Sequence, residues 1–394
     1  MARRGAVAFV LAALTAGALS GCRPLYIAKV GIQHLRYISR ARPISEEIAK
    51  SDDPVRRHRL ELVLEARDFA SANGLVPGGS YLKVADTTGL SAGYVVTAAH
   101  RDRLEPYEWS YPVIGKIPYR GYFERDSAEA FAKQMEEEGY DTFVFPAAGY
   151  STLGWFDDPL PSNALRYADP WLVELVIHEL VHQNIYVKGE IAFNETLASG
   201  IAKRLTIEFF RMREDEAGVT AAERSYQQWL AQSDVFDRFA ERLKKFYAGA
   251  AYDSRVDLIG ERTLIYKELD EALAVLEKDK AKPDIRPGMV TNNAVFLSLW
   301  AYRKQAALIR NYLDSFALVP EALDDLREWA KSTEADPYAS LQAHLASMND
   351  DDTAGAEPPV RGGTEVFGAA GCSRESDVSF LSAFRARPPV RVTL

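Results

Sequence analysis

Val176-Ile177-His178-Glu179-Leu180-Val181-His182 sets two histidines four positions apart, with an acid beside the first, in an otherwise apolar run. Residues i and i+4 of a helix share a face, so both imidazoles can reach one metal ion. Glu179 points slightly aside, where it can take a proton from a water at that ion. Neutral imidazoles suit zinc, and a catalytic zinc keeps three protein ligands and one open position. The apolar flanks predict a helix buried beneath a cleft. Because the five-residue pattern recurs by chance, two core histidines and a helix-surface glutamate are the plainer alternative. A third ligand is available. Gly189 breaks the first helix, a second begins near Ile191, and Glu195 lies thirteen positions after His182. A helical hairpin of that length can return a carboxylate to the same ion. The expected cofactor is Zn2+, held by His178, His182 and Glu195, with Glu179 as general base.

Outward from this hairpin the pattern is helical on the C-terminal side. Periodic stretches cover about 170–187, 191–214, 220–248, 254–279, 292–315 and 319–332. Asp169-Pro170 suits an N-cap and first turn. On the N-terminal side a helical pattern from Leu25 to about Ala72 ends at Asn73-Gly74 and Pro77-Gly78-Gly79. Residues 80–85, 93–98 and 107–114, rich in tyrosine and valine, then read as strands. A helix over 127–138 and a strand over 141–146 follow. The fold expected is α+β: a small, mostly antiparallel sheet, then a predominantly helical body. Residues 22–348 form the folded domain, in an α/β part (22–165) and a helical part (166–348). Residues 349–394 collect aspartate, glycine and proline without period and read as a disordered tail.

The first 21 residues read as an address. Arg3 and Arg4 precede an uncharged, mostly apolar stretch over 5–18, then Leu19-Ser20-Gly21-Cys22. The apolar run, about 15 residues, is short of the roughly 20 that span a bilayer. Leu-Ser-Gly-Cys resembles the lipobox of bacterial lipoproteins, which implies cleavage before Cys22 and lipidation of its thiol. Several acyl chains anchor stably where one does not. The expected location is the bacterial cell envelope, facing the periplasm, with Arg23 weakly favouring the outer membrane. A plain signal peptide with an incidental cysteine is the alternative.

Composition excludes some classes. Hydrophobic residues are 47% and charged residues 26%, enough for a sizeable core. A net charge of −9 without a basic run argues against a nucleic-acid partner. Two cysteines, Cys22 and Cys372, in unlike contexts do not make a disulfide scaffold. His34, His58, His100 and His344 have no metal-like neighbours.

His178-Glu179-Leu180-Val181-His182-Gln183 resembles the HELxHQ of zinc aminopeptidases, and Phe193-Asn194-Glu195 to Ala198 their NExxA. Both motifs belong to the thermolysin-like glutamate-zincins. More closely, the chain resembles a family of bacterial predicted aminopeptidases. It shares the lipobox, Arg42-Pro43-Ile44, residues 118–123, Tyr150 to Pro159 and Asn292-Asn293-Ala294, scattered over most of residues 20–310. The resemblance implies a zinc metallopeptidase, in which the two histidines and the second-helix glutamate bind zinc. It also implies a downstream tyrosine or histidine that donates to the oxyanion, for which Tyr302, Tyr186 and Tyr150 are candidates, Tyr302 first. Zincins bind an extended peptide along an edge strand before the metal helix, which points to Ala147, Ala148 and Gly149. Asp157 or Asp158 would meet a substrate amine. Two departures stand out. The His182-to-Glu195 spacing is shorter than in thermolysin, so the hairpin must be tighter. Ser199 replaces the aspartate that orients a ligand histidine there. The GxMEN segment of large aminopeptidases is not recognisable. The partners expected are a peptide substrate and, through Cys22, a membrane. The rival reading is a non-catalytic, lipid-anchored envelope protein with structural zinc or a binding role.

Overall fold

The computed structural model describes residues 32, 35–88, 93–111, 115–122, 124–146, 157–249, 255–278, 285–333 and 336–354. The chain divides into two compact units, Met1–Met348 and Asn349–Leu394. Cys22, Ala147, Ala148, Gly149, Tyr150 and Cys372 lie outside the described residues.

Proline punctuates the N-terminal part more finely than the apolar period suggests. The stretch expected as one helix to Ala72 is broken. Arg42 and Pro43 are extended in β1 (Ala41–Pro43), α1 follows (Ile44–Lys50), and α2 (Pro54–Ala72) restarts after Asp52-Asp53. Asp53 caps α2 by accepting the Val55 N–H at 2.9 Å, with Pro54 in the first turn.

Among the described residues three small sheets stand beside the helices. β1 pairs antiparallel with β2 (Lys83–Ala85), which pairs parallel with β8 (Leu160–Pro161). β3 (Tyr94–His100) lies between β6 (Tyr119–Tyr122) and β7 (Tyr140–Pro146), antiparallel to both. β4 (Trp109–Tyr111) and β5 (Gly115–Ile117) form a hairpin. The amphipathic α3 (Arg125–Glu137) lays Ala128, Phe131, Ala132 and Met135 against Val96 and Ala98 of β3.

The rest is helical: α4 (Asp169–Asn184), α5 (Ile191–Met212), α6 (Glu216–Gly249), α7 (Arg255–Glu277), α8 (Asn293–Trp300), α9 (Ala306–Asp314), α10 (Val319–Ser332) and α11 (Pro337–Ala354). The α+β expectation holds, with one parallel pair added. Asp169 sits inside the first turn of α4 rather than capping it, and its carboxylate meets His58 at 2.7 Å. In the second unit, residues 349–354 are helical.

All of α4 but Trp171 is buried or half-buried because it is the middle layer. Leu172, Val173, Val176, Ile177, Leu180 and Val181 are buried in one core with Leu60 and Val63 of α2 and Phe193, Leu197 and Ile201 of α5. At about 1.5–3 kcal/mol for each fully buried aliphatic side chain, this layer fixes the metal-helix candidate firmly. A second core joins Phe236 of α6, Tyr266 and Leu269 of α7 and Phe296 of α8. The antiparallel sheet is tied to it by a buried ion pair: Arg262 of α7 donates to Asp141 of β7 at 2.7 and 3.2 Å. Asn293, fully buried, adds bonds to the His100 and Arg103 carbonyls.

The residues expected as one helix over 292–315 are two. α8 stops at Trp300, residues 301–305 form a turn, and α9 begins at Ala306. No helix among the described residues is long and apolar enough to cross a membrane.

Candidate metal centre

The two histidines stand on the inner face of α4, and α5 returns Glu195 to them through the turn at residues 185–190. The turn is closed by buried Asn194. Its side chain accepts the Val187 N–H at 2.9 Å and donates to the Val187 carbonyl at 2.8 Å. Gly189 supplies the left-handed residue, φ +84°, that lets the chain reverse. The tight hairpin required by the short spacing is therefore present.

His178 Nε2 lies 3.2 Å from Glu195 Oε2 and 3.2 Å from His182 Nε2, and His182 Nε2 lies 3.4 Å from the same carboxylate oxygen. A tetrahedral zinc with ligands at about 2.0–2.2 Å sets its donor atoms roughly 3.3–3.6 Å apart. The triangle has nearly that size, and two imidazoles with one carboxylate is a donor set that suits zinc. The residues present therefore fit such an ion. Among the described residues this is also the group of acidic, histidine or cysteine side chains gathered closely enough to hold a metal.

The electrostatics are those of a paired, sheltered site. Burial alone would raise the Glu195 pKa, but His182 and hydrogen bonds from both imidazoles hold it well below the usual carboxylate range. Burial, the largest single influence, pushes His182 down, but the Glu195 charge, its hydrogen bond and the Glu179 charge together outweigh it, so it ends above an ordinary histidine. One oxygen of Glu179, Oε2, is buried without a hydrogen-bond partner among the described residues. So is Nδ1 of His182, which means that buried Ser199 does not take up that N–H.

Tyr302 is not on a helix, as expected from sequence, but in the 301–305 turn. Its ring lies nearly parallel to that of His178, 6.2 Å between centroids and 25° between planes. Tyr302 is 42% exposed as a residue, but the Glu195 charge, then desolvation around its hydroxyl, then Glu179 raise its pKa well above the ordinary value, so it keeps its proton. Tyr186, in the turn of the hairpin, feels burial and then Glu195 in the same direction.

Asp157 is engaged by the loop after α2. Its Oδ1 accepts the Gly79 N–H at 2.9 Å, and a Cβ at Gly79 would fall 2.4 Å from the carboxylate, so only glycine allows this approach. Asp158 is buried; its N–H donates to Ser80 Oγ, and its carbonyl accepts the Tyr81 N–H.

That segment holds what the sequence reading missed. Ser80 Oγ also accepts from Gln183 Nε2 at 3.0 Å, which links the loop after α2 to the residue following His182. Tyr81 is buried and left-handed, φ +60°, an unusual conformation for an aromatic residue. Burial, then Glu179 and Asp158, push its hydroxyl pKa well above the ordinary value. The neighbouring Gly78-Gly79 is the one local signal; the rest is long-range.

A family model described as "Putative aminopeptidase" matches residues 25–339. The chain belongs to this family. The match covers both halves of the hairpin, the Ser80–Tyr81 loop and the Tyr302 turn, so the aminopeptidase-family region and the folded body nearly coincide. No match was found among curated proteins or among solved structures.

Proposed function

We propose that this member of the aminopeptidase family is a zinc metallopeptidase. The observation that carries the reading is the triangle of His178 Nε2, His182 Nε2 and Glu195 Oε2, with edges of 3.2, 3.2 and 3.4 Å. Bound there, zinc supplies Lewis acidity that lowers the pKa of a water and polarises a carbonyl.

This chain's residues supply the rest. His178, His182 and Glu195 hold the ion. Glu179, one position along the same helix, takes the proton of the attacking water and passes it to the leaving amine. Its partnerless buried oxygen is a ready acceptor. Tyr302, which keeps its proton, donates to the carbonyl oxygen as negative charge develops. The substrate is a peptide, aligned along the β7 side through Ala147, Ala148 and Gly149, with Asp157 near its amine end. Cleavage from the N-terminus is the reading that the family supports. We further propose that a lipid on Cys22 holds the enzyme at the bacterial envelope, facing the periplasm.

The test is hydrolysis of a panel of aminoacyl anilides and internally quenched peptides by the zinc-loaded chain. Wild type releases anilide, and Glu179→Gln keeps its zinc but loses turnover by on the order of 10³-fold or more, the scale of a catalytic base plus the charge it carries. Full activity in Glu179→Gln refutes the mechanism. Cleavage of internal peptides alone makes the enzyme an endopeptidase.

A further inference from the structure

The turn that carries Tyr302 is not explained by its own sequence. Ala301-Tyr302-Arg303-Lys304-Gln305 contains neither glycine nor proline, and several of its members are good helix formers. Nothing local stops α8 from running on into α9.

The interruption is imposed from outside, mostly by one face of α6. Trp229 Nε1 donates to the Tyr302 carbonyl at 2.8 Å. Ser233 Oγ donates to the Arg303 carbonyl at 2.6 Å and accepts the Ala306 N–H at 3.1 Å. Arg303 Nε donates to Gln232 Oε1 at 2.9 Å. Asp237 accepts from Trp300 Nε1 at 2.7 Å and from the Gln305 N–H at 3.1 Å, gripping both ends of the turn. From the other side Thr196 Oγ1, one residue after Glu195, donates to the Ala301 carbonyl at 2.9 Å. The cost is visible at Gln305, which is held left-handed at φ +53°. A strained residue of this kind persists only where its surroundings over-determine it, and such places cluster at functional sites.

We infer that Asp237 and Trp229 are positioning residues: they hold the 301–305 turn, which keeps helix-like bonds from Arg303 and Lys304 to the Trp300 carbonyl but breaks at left-handed Gln305, so that Tyr302 stands over the His178–His182–Glu195 triad. An uninterrupted helix would lose the turn geometry that aims the ring beside His178. The Thr196 bond ties the same turn to the helix that bears Glu195, so the oxyanion donor and one metal ligand share a frame. The inference rests on the peptidase reading above and on Tyr302 as its donor.

A double-mutant cycle on the zinc-loaded full chain tests it, with an aminoacyl anilide as probe. Asp237→Ala is expected to lower kcat by about 10- to 100-fold, as a displacement near 1 Å does, with KM and zinc content within about twofold. Asp237→Asn, which retains an acceptor, recovers most of that loss. In a Tyr302→Phe background the same Asp237→Ala change has almost no further effect on kcat, because residues that act through one group are not additive. If Asp237→Ala fails to fold, Trp229→Phe, which removes the N–H to the Tyr302 carbonyl together with part of the buried ring, replaces it in the cycle. Losses that multiply fully in the Tyr302→Phe background, or a kcat unchanged in a folded variant, overturn the positioning role alone. A zinc-loaded wild type that cleaves no member of the panel overturns the peptidase reading beneath it.

Discussion

The side chain of Asn194 bonds both the N–H and the carbonyl of Val187, at 2.9 and 2.8 Å, and so closes the turn between the two helices of the candidate metal site. Glu195, the next residue, is thereby delivered to His178 and His182. Leaving a buried backbone group unpaired costs about 1–3 kcal/mol, and Asn194→Ala leaves the Val187 N–H so, while the Val187 carbonyl still accepts the Glu190 N–H at 3.2 Å. The variant is expected to lose about 1–3 kcal/mol in denaturant unfolding and to bind zinc more weakly. Unchanged zinc affinity would separate the clamp from the site.

Gly200, mid-way along α5, faces α9 and α6. A Cβ there would meet Ile309 Cγ2 at 2.6 Å and Trp229 Cη2 at 3.3 Å, both belonging to buried side chains. Helix propensity alone makes Gly→Ala stabilising by about 1 kcal/mol. Overpacking costs typically 1–3 kcal/mol, so the clash should win. Gly200→Ala is expected to lower Tm in a thermal melt. A raised Tm would mean that the helices part more easily than their packing implies.

Arg262 and Asp141 are 4% and 6% exposed at the side chain, and they join the sheet to the helical body. Removing one partner of a buried pair costs about 3–5 kcal/mol, while replacing both with apolar groups costs far less. Asp141→Ala should therefore be strongly destabilising. The double variant Asp141→Leu with Arg262→Met should be milder than the sum of its parts, measured by urea unfolding.

The metal hairpin was legible because its signals are local. An i, i+4 histidine pair, a helix-breaking glycine and a glutamate thirteen positions on need no tertiary information to be seen. The breaks at Pro43 and Pro54 were also readable, since proline restricts both itself and its predecessor; the apolar period there masked them. The 301–305 turn was not readable. Its residues favour helix, and the groups that unwind it lie about 70 residues earlier on α6. Tyr81 is nearly a hundred positions from Glu179, and only the glycines before it mark the spot. Ser199 shows the opposite failure: it is near in sequence and buried, yet it makes no bond to His182 Nδ1.

Tyr302 carries its own prediction. Its ring is stacked beside His178 and its proposed role is donation to the oxyanion, not metal ligation, so Tyr302→Phe should keep zinc and KM nearly unchanged. Loss of one oxyanion donor typically lowers kcat by about 10²–10³-fold. A fall in zinc content instead would assign Tyr302 to the metal site.

The most direct test of the account is zinc per chain, by elemental analysis of metal-replete protein after exhaustive desalting. Wild type should hold about one zinc, with Glu195→Ala and the His178→Ala/His182→Ala pair holding almost none and Glu179→Gln retaining it, as three ligands and a separate base require. A wild type that holds no zinc, or a Glu195→Ala variant that holds it as tightly as wild type, would contradict the metal centre proposed for His178, His182 and Glu195.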